Sequence, residues 1–288
     1  MRYEGRIFRP PNEADSILLQ VTVGCSHNGC RFCGMYREKQ FRVKSFEDIE
    51  SDIDDAHQRF ADIGRVFLCD GDALAMPHEP FVRILETIRA RLPNVIRIST
   101  YANAKSISKK TDAQLAQLRE LNVKLFHTGL ESGDDETLRR MQKHGSAQFH
   151  VQQVQRARAA GIQSFVTILL GLGGVERSSE HAQGTADALT QMNPNSVGAL
   201  SLMLIPGTPL HLDAEQGNFA LPDARQILCE LRMIVERTQM RGMFYANHAS
   251  NYLPIRARLP RDRDEALAQI DAALEGRAPL KPEWLRAW

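Results

Sequence analysis

Between residues 16 and 209 the chain switches six times from a short apolar run to a longer stretch of helical character. The apolar runs cover 16–23, 65–69, 95–99, 123–130, 162–170 and 196–205. Helical segments follow at Ser45 (an N-cap with acids in the next turn), 79–91, 111–121, 134–141 with 147–160, 178–192, and 221 to about 238. Strands alternating with helices demand a parallel sheet, and six in unbroken order point to a barrel or partial barrel. The expected fold is therefore α/β: a partial (β/α)6 TIM-type barrel over 16–212. An N-terminal surface segment (1–15) precedes it, and a short C-terminal helical extension (213–288) ends with a helix over 263–275.

In a parallel barrel all strands open their C-terminal ends on one face, where active sites are built. The residues that folding needs least fall at those ends: Asp70-Gly71-Asp72, Ser99-Thr100-Tyr101, Glu131-Ser132-Gly133, Gly171-Leu172-Gly173-Gly174 and Pro206-Gly207-Thr208. The first strand runs into Cys25-Ser26-His27-Asn28-Gly29-Cys30-Arg31-Phe32-Cys33, which holds three of the five cysteines in a C-x4-C-x2-C spacing. Three thiolates on one loop are a metal or cluster motif. Three states fit. One is a zinc site completed by His27, cramped within nine residues and without a second knuckle. Another is a [4Fe–4S] cluster with Cys69 as fourth thiolate. The third, which the spacing favours, is a [4Fe–4S] cluster on three cysteines with one iron open.

This loop, with the aromatic Phe32 before Cys33, resembles that of the radical S-adenosylmethionine (radical SAM) superfamily, in a variant with one extra residue in the first gap. Thr128 to Leu138 with Gln142-Lys143, Ile168 to Gly174, and Leu204 to Leu210 are similar to the fourth-, fifth- and sixth-strand segments of the branch that includes the MiaB-, NifB- and coproporphyrinogen-oxidase-type enzymes. The resemblance implies that Cys25, Cys30 and Cys33 ligate a [4Fe–4S] cluster whose open iron is chelated by S-adenosylmethionine. It also implies that Asp70-Gly71-Asp72 takes the place of a Gly-Gly-Glu segment whose backbone meets the methionine amino group. Only Gly71 is shared there, and Asp72 stands for Glu. Glu131, with Ser99 or Ser132 nearby, would bind the ribose. Lys143 would meet the carboxylate, and Ile168 and Gly171 would flank the adenine. The implied activity is reductive cleavage of S-adenosylmethionine to a 5′-deoxyadenosyl radical that abstracts a hydrogen from an unassigned small or medium-sized substrate. A reductant such as flavodoxin or ferredoxin would supply the electron.

Composition narrows the field further. Lys and Arg total 36 against 35 Asp and Glu, so the net charge of +1 gives no case for bulk nucleic-acid binding. No apolar run reaches membrane-spanning length and no signal-peptide core follows the N-terminus, so with clustered cysteines a reducing cytoplasm is expected, and the resemblance implies an oxygen-sensitive enzyme. Cys69 and Cys229 are too few for an auxiliary four-cysteine cluster, and neither a cobalamin-binding module nor a basic RNA-binding domain is expected. The segment from Asn247 through His248 and Asn251 to Tyr252 mixes amide, imidazole and phenol groups, and is expected to contact substrate. A non-catalytic iron–sulfur or zinc protein, with Cys69 or His27 as fourth ligand, is the alternative.

Overall fold

The first apolar run folds as two strands, not one. In the computed structural model, which describes residues 1–287, β1 (Ile17–Gln20) and β2 (Thr22–Val23) part at Val21. Val21 donates to the Cys69 carbonyl at 2.7 Å and accepts from Lys44 N–H at 3.1 Å. β2 thereby turns away to pair antiparallel with β3 (Arg42–Val43). The chain packs as two units. The first comprises Met1–Asn28, Met35–Thr128 and Arg156–Ser164; the second comprises Gly29–Gly34, Gly129–Gln155 and Phe165–Trp288.

In the first unit, β1, β4 (Arg65–Cys69), β5 (Arg97–Tyr101) and residues 123–128 of β6 (Val123–Glu131) form a parallel sheet in that order. The connections carry α1 (Phe46–Phe60), α2 (His78–Arg91), α3 (Ala104–Ser108) and α4 (Asp112–Glu120). Ser45 caps α1, accepting from Asp48 N–H, and Thr111 with Gln114 forms a capping box on α4. One sheet face buries Leu19, Val66, Leu68, Ile98, Val123 and Phe126 against helix residues such as Ile53, Phe81 and Leu115. Each such fully buried side chain contributes roughly 2 kcal/mol. β5 begins two residues later than expected: Val95 N–H is taken by a turn bond to Leu92, and Ile96 is exposed. The N-terminal segment is not all surface, because Glu13 is fully buried.

In the second unit, β7 (Gln163–Leu170), β8 (Ser196–Ser201) and β9 (Gly242–Ala246) run parallel, and β10 (Ile255–Leu259) pairs antiparallel with β9. The remaining helices are α5 (Asp135–Arg140), α6 (Ala147–Ala159), α7 (Ser178–Met192), α8 (Pro209–Glu215), α9 (Ala224–Arg237) and α10 (Arg263–Leu274). The C-terminal extension is thus not purely helical. Ile255-Arg256-Ala257-Arg258-Leu259 alternates buried and exposed, as a half-buried strand does. Val166, Ile168 and Leu170 of β7 enter one core with Leu189 of α7, Leu231 and Ile234 of α9 and Ile270 of α10. The architecture is α/β with a mostly parallel sheet. No described helix is long and apolar enough to cross a membrane.

Candidate active site

The first cysteine arm leaves β2 through Gly24, whose φ of +76° suits a residue without Cβ. Cys25 follows, partly exposed. Gly71 lies beside it: a Cβ there would sit 3.0 Å from the Cys25 Cβ and 2.6 Å from the Tyr36 ring. Glycine is therefore required at 71, and the wall beside Cys25 is bare backbone and one aromatic ring. Asp70, joined to Cys69 by a cis peptide, is fully buried. Its Oδ2 accepts from Lys39 Nζ at 2.6 Å, Gly24 N–H at 3.1 Å and Gln20 Nε2 at 3.2 Å. Asp72 is equally buried and accepts from Ser26, Asn103 and Ser106.

Cys69 does not face this arm as a free thiol. Its Sγ donates to the Leu19 carbonyl at 3.5 Å, and burial pushes the thiol's pKa up, away from the thiolate that metals need. Ser99, expected at a strand end, is interior to β5 and fully buried, with Oγ on the Val66 carbonyl. The strand-end position belongs to Tyr101, whose ring meets Phe67 and His127 edge-on. His127 in turn contacts Glu13 at 3.2 Å. Burial alone would raise the Glu13 carboxyl, but hydrogen bonds from His127 and Ser16 and the Arg97 charge bring it down to about 2.

In the second unit the loop carrying Cys30 and Cys33, both partly exposed, is held at three points. Arg31 N–H donates to the Met141 carbonyl at 3.0 Å, and the Arg31 side chain pairs with Asp213 at 2.5 Å. Phe32 packs on a small core of Met141, Leu172, Leu202 and Leu210, which gives the aromatic before Cys33 its physical reason. Gly34 admits Ile205: a Cβ would lie 2.7 Å from its Cγ2. Glu131 closes β6 at φ +66°, a left-handed position that is strained for a side chain with a Cβ. Its Oε1 meets Lys143 Nζ at 3.0 Å, both side chains 12% exposed. Gly129 makes room for this pair, since a Cβ there would fall 1.8 Å from Glu131 Oε1.

Ser132 is fully buried; its Oγ accepts from Asp134 N–H and lies 2.8 Å from His181 Nδ1. Burial holds His181 neutral down to about pH 4. Its Nε2 is 3.7 Å from the buried Glu230, which accepts from Gly171 N–H at 2.6 Å and Ser178 Oγ at 2.7 Å. Gly171 has φ +85°. Ile168, expected beside the adenine, lies wholly in the helix-side core; the partly exposed residues of β7 are Phe165, Thr167 and Leu169. The expected substrate segment is largely used within the fold. Asn251 is buried, accepting from Ser201 Oγ at 2.8 Å and donating to the Ala199 carbonyl at 2.8 Å. Tyr252 OH donates to Glu283, His248 pairs with Ser250 at 2.9 Å, and Asn247 is exposed.

Sequence reasoning did not reach Lys39, Asn28, His181 or Glu230. The partners of Lys39, His181 and Glu230 lie 31 to 59 residues away, and for Asn28, whose partners are 8 and 11 residues on, the Asn28-Gly29 turn dipeptide was a local signal.

An α/β chain with three partly exposed thiols in one loop, and a bare glycine wall beside the first, suits an iron–sulfur cluster: thiolates are the soft ligands it takes. The profile of the radical SAM superfamily matches residues 19–183, and the chain belongs to that superfamily. Its members are enzymes that use a [4Fe–4S] cluster and S-adenosylmethionine, which they cleave reductively. Biotin synthase from Alkalilimnicola ehrlichii is 25% identical over 212 residues, covering 71% of this chain and 60% of that protein. The chain thus spans less than two thirds of that relative's length. Three solved structures resemble it in fold. The radical S-adenosylmethionine methyltransferase TsrM from Kitasatospora setae has a TM-score of 0.55 and 17% identity over 70% of this chain and 39% of its own. Coproporphyrinogen III oxidase from Escherichia coli has 0.54 and 15% over 77% and 51%. Methylornithine synthase has 0.53 and 16% over 88% and 68%.

Proposed function

We propose that this chain is a radical SAM enzyme of the MiaB-, NifB- and coproporphyrinogen-oxidase-type branch. In this reading 16–212 form a partial (β/α)6 barrel and 213–288 close over it. Cys25, Cys30 and Cys33 ligate the [4Fe–4S] cluster and leave one iron for S-adenosylmethionine. The observation that carries this is the contrast among the cysteines. The three loop thiols are partly exposed within nine residues, while Cys69 is buried on the Leu19 carbonyl and Cys229 lies exposed on a helix. When bound, the cluster and S-adenosylmethionine supply a one-electron reduction of the sulfonium and a 5′-deoxyadenosyl radical that removes a substrate hydrogen.

The protein's own groups position and shield. Glu131 presents a carboxylate suited to two ribose hydroxyls, and Lys143 neutralises it and orients it at 3.0 Å. Lys143 also carries the charge that a cofactor carboxylate needs. Gly171, with its N–H fixed by Glu230 and its Cα packed beside Ile227, holds in a fixed path the turn that would flank the base. Gly71 leaves the space beside Cys25 free of side chain. The electron would come from a flavodoxin or ferredoxin in an anaerobic cytoplasm, and the substrate is a small or medium-sized molecule.

The test is anaerobic reconstitution with iron and sulfide, followed by S-adenosylmethionine and dithionite. Release of 5′-deoxyadenosine and methionine is expected from the wild type and not from Cys30→Ala. A Cys30→Ala protein that still releases both overturns the ligand assignment.

A further inference from the structure

Three side chains outside the cysteines hold the arm from Gly24 to Asn28. Asp70 takes the Gly24 N–H at 3.1 Å and is itself fixed by Lys39 at 2.6 Å. Asp72 takes the Ser26 hydroxyl. Asn28 sits at φ +44° and its Nδ2 donates to the carbonyls of Tyr36 at 2.8 Å and Lys39 at 3.2 Å. Asparagine is among the few residues that adopt the left-handed region readily. The Lys39–Asp70 pair is almost wholly out of water, with side chains 5% and 0% exposed.

Asp72 decides what this frame is for. Its Oδ2 also accepts from Asn103 Nδ2 at 2.6 Å and Ser106 Oγ at 2.5 Å, and its Oδ1 accepts from Asn103 N–H at 3.2 Å. A carboxylate offers about four lone-pair sites. Three of these four donors converge on Oδ2 and one takes Oδ1, and the group is fully buried. The carboxylate is thus committed to the protein's own frame on both oxygens.

We infer that Asp70, Asp72 and Asn28 are positioning residues for the Cys25 arm, and that their polar frame is what accommodates the extra residue of the C-x4-C spacing. The inference rests on the reading that Cys25 is a cluster ligand. Asp72 sets the path of Ser26 directly after Cys25, Asp70 sets Gly24 directly before it, and Asn28 closes the longer gap by clasping the segment 36–39. The arm is thus ordered by the protein's own hydrogen bonds, as partners beyond the ligands order metal sites generally.

The test compares wild type, Asp72→Asn, Ser26→Ala and Ser26→Thr after anaerobic reconstitution. Three quantities are measured: the rate at which EDTA bleaches the cluster's visible absorbance, the affinity of the loaded fraction for S-adenosylmethionine by equilibrium dialysis, and the melting temperature. Ser26→Ala and Asp72→Asn are expected to lose the cluster roughly 10-fold faster or more. Ser26→Thr, which keeps the hydroxyl, should stay near wild type, and cofactor affinity per loaded chain should be unchanged. Bleaching at the wild-type rate in both variants overturns the inference. So does an Asp72→Asn protein with wild-type bleaching and lost cofactor affinity, which would place Asp72 on the cofactor. Should Asp72→Asn not fold, the Ser26 pair decides alone. A wild type that takes up no cluster removes the ligand reading itself, an outcome distinct from a stable cluster in all variants.

Discussion

The backbone N–H of Gly171 donates to the carboxylate of Glu230 at 2.6 Å, at a site where Glu230 is only 1% exposed. Fifty-nine residues separate them, and the bond ties α9 to the turn that ends β7. Ser178 Oγ, at the start of α7, donates to the other carboxylate oxygen, so one acid fixes a turn and a helix N-terminus together. Helix N-termini favour an anion, but burial outweighs that here and pushes Glu230 up to about 7.

That shift makes stability fall with pH. Between about pH 4.5, the ordinary carboxyl value, and about 7, the unfolded chain has released a proton that folded Glu230 keeps. The folded state is therefore progressively disfavoured across this window, by about 3 kcal/mol once pH exceeds 7. His181 acts oppositely. It is neutral when folded down to about 4 and charged when unfolded below about 6.5, so its part of the stability is lost as pH falls through that window. Urea midpoints from pH 5 to 8 isolate the acid: the gap between Glu230→Gln and wild type should grow in the variant's favour up to pH 7 and then level. Parallel curves would show that Glu230 titrates normally.

Gly129 gives a way to disturb Glu131 without altering its carboxylate. A Cβ at 129 would meet Oε1 at 1.8 Å and Lys143 Nζ at 3.0 Å, so Gly129→Ala must push the pair apart. If Glu131 holds the ribose, Gly129→Ala and Glu131→Gln should each weaken S-adenosylmethionine binding roughly tenfold, about 1.4 kcal/mol. Cluster content should not change. Equilibrium dialysis on reconstituted protein reads the effect, and wild-type affinity in both variants removes Glu131 from the site.

What could be read from the sequence was what is local or periodic. The strand–helix alternation, the caps at Ser45 and Thr111, and the three clustered cysteines each declare themselves within a few residues. β10 was legible too, in the alternation from Ile255 to Leu259, but the polar turn before it drew the reading toward a helical extension. Ser99 and Ile168 failed for a different reason. A shift of two residues in a strand's start moves Ser99 from an end to the interior, and a face cannot be assigned until the helices that cover it are known. The pairs Lys39–Asp70, Ser132–His181 and Gly171–Glu230 span 31 to 59 residues, and nothing along the chain marks them as partners.

Gly133 and Gly184 form a backbone contact that tolerates no side chain. A Cβ on Gly133 would lie 2.0 Å from the Gly184 carbonyl oxygen, and one on Gly184 would lie 2.6 Å from the Gly133 carbonyl oxygen. α7 can retreat only by giving up the 2.9 Å bond from Gly133 N–H to Thr185 Oγ1. Gly133→Ala should therefore lose about 3 kcal/mol or more in urea unfolding. Gly64→Ala, where the nearest atom would be 3.3 Å away, serves as the mild control. Equal losses in the two variants would mean that α7 shifts freely.

Arg286 draws the C-terminal segment onto the second unit with almost its whole side chain buried, at 1% exposure. It donates to the Ser250 carbonyl at 2.6 Å, the Leu202 carbonyl at 3.1 Å and Glu283 at 2.7 Å, and its guanidinium stacks 4.1 Å from the Tyr252 ring centroid. Arg286→Ala leaves two carbonyls and a carboxylate without that donor, and should lower stability by about 3 kcal/mol. Arg286→Lys keeps the charge but cannot span three acceptors in a planar fork, so its loss should be intermediate. Hydrogen exchange locates the effect: amides of 248–251 should lose protection in Arg286→Ala, while those of β7 keep it. Uniform loss across the unit would mean that Arg286 adds only global stability and does not fasten the turn between β9 and β10.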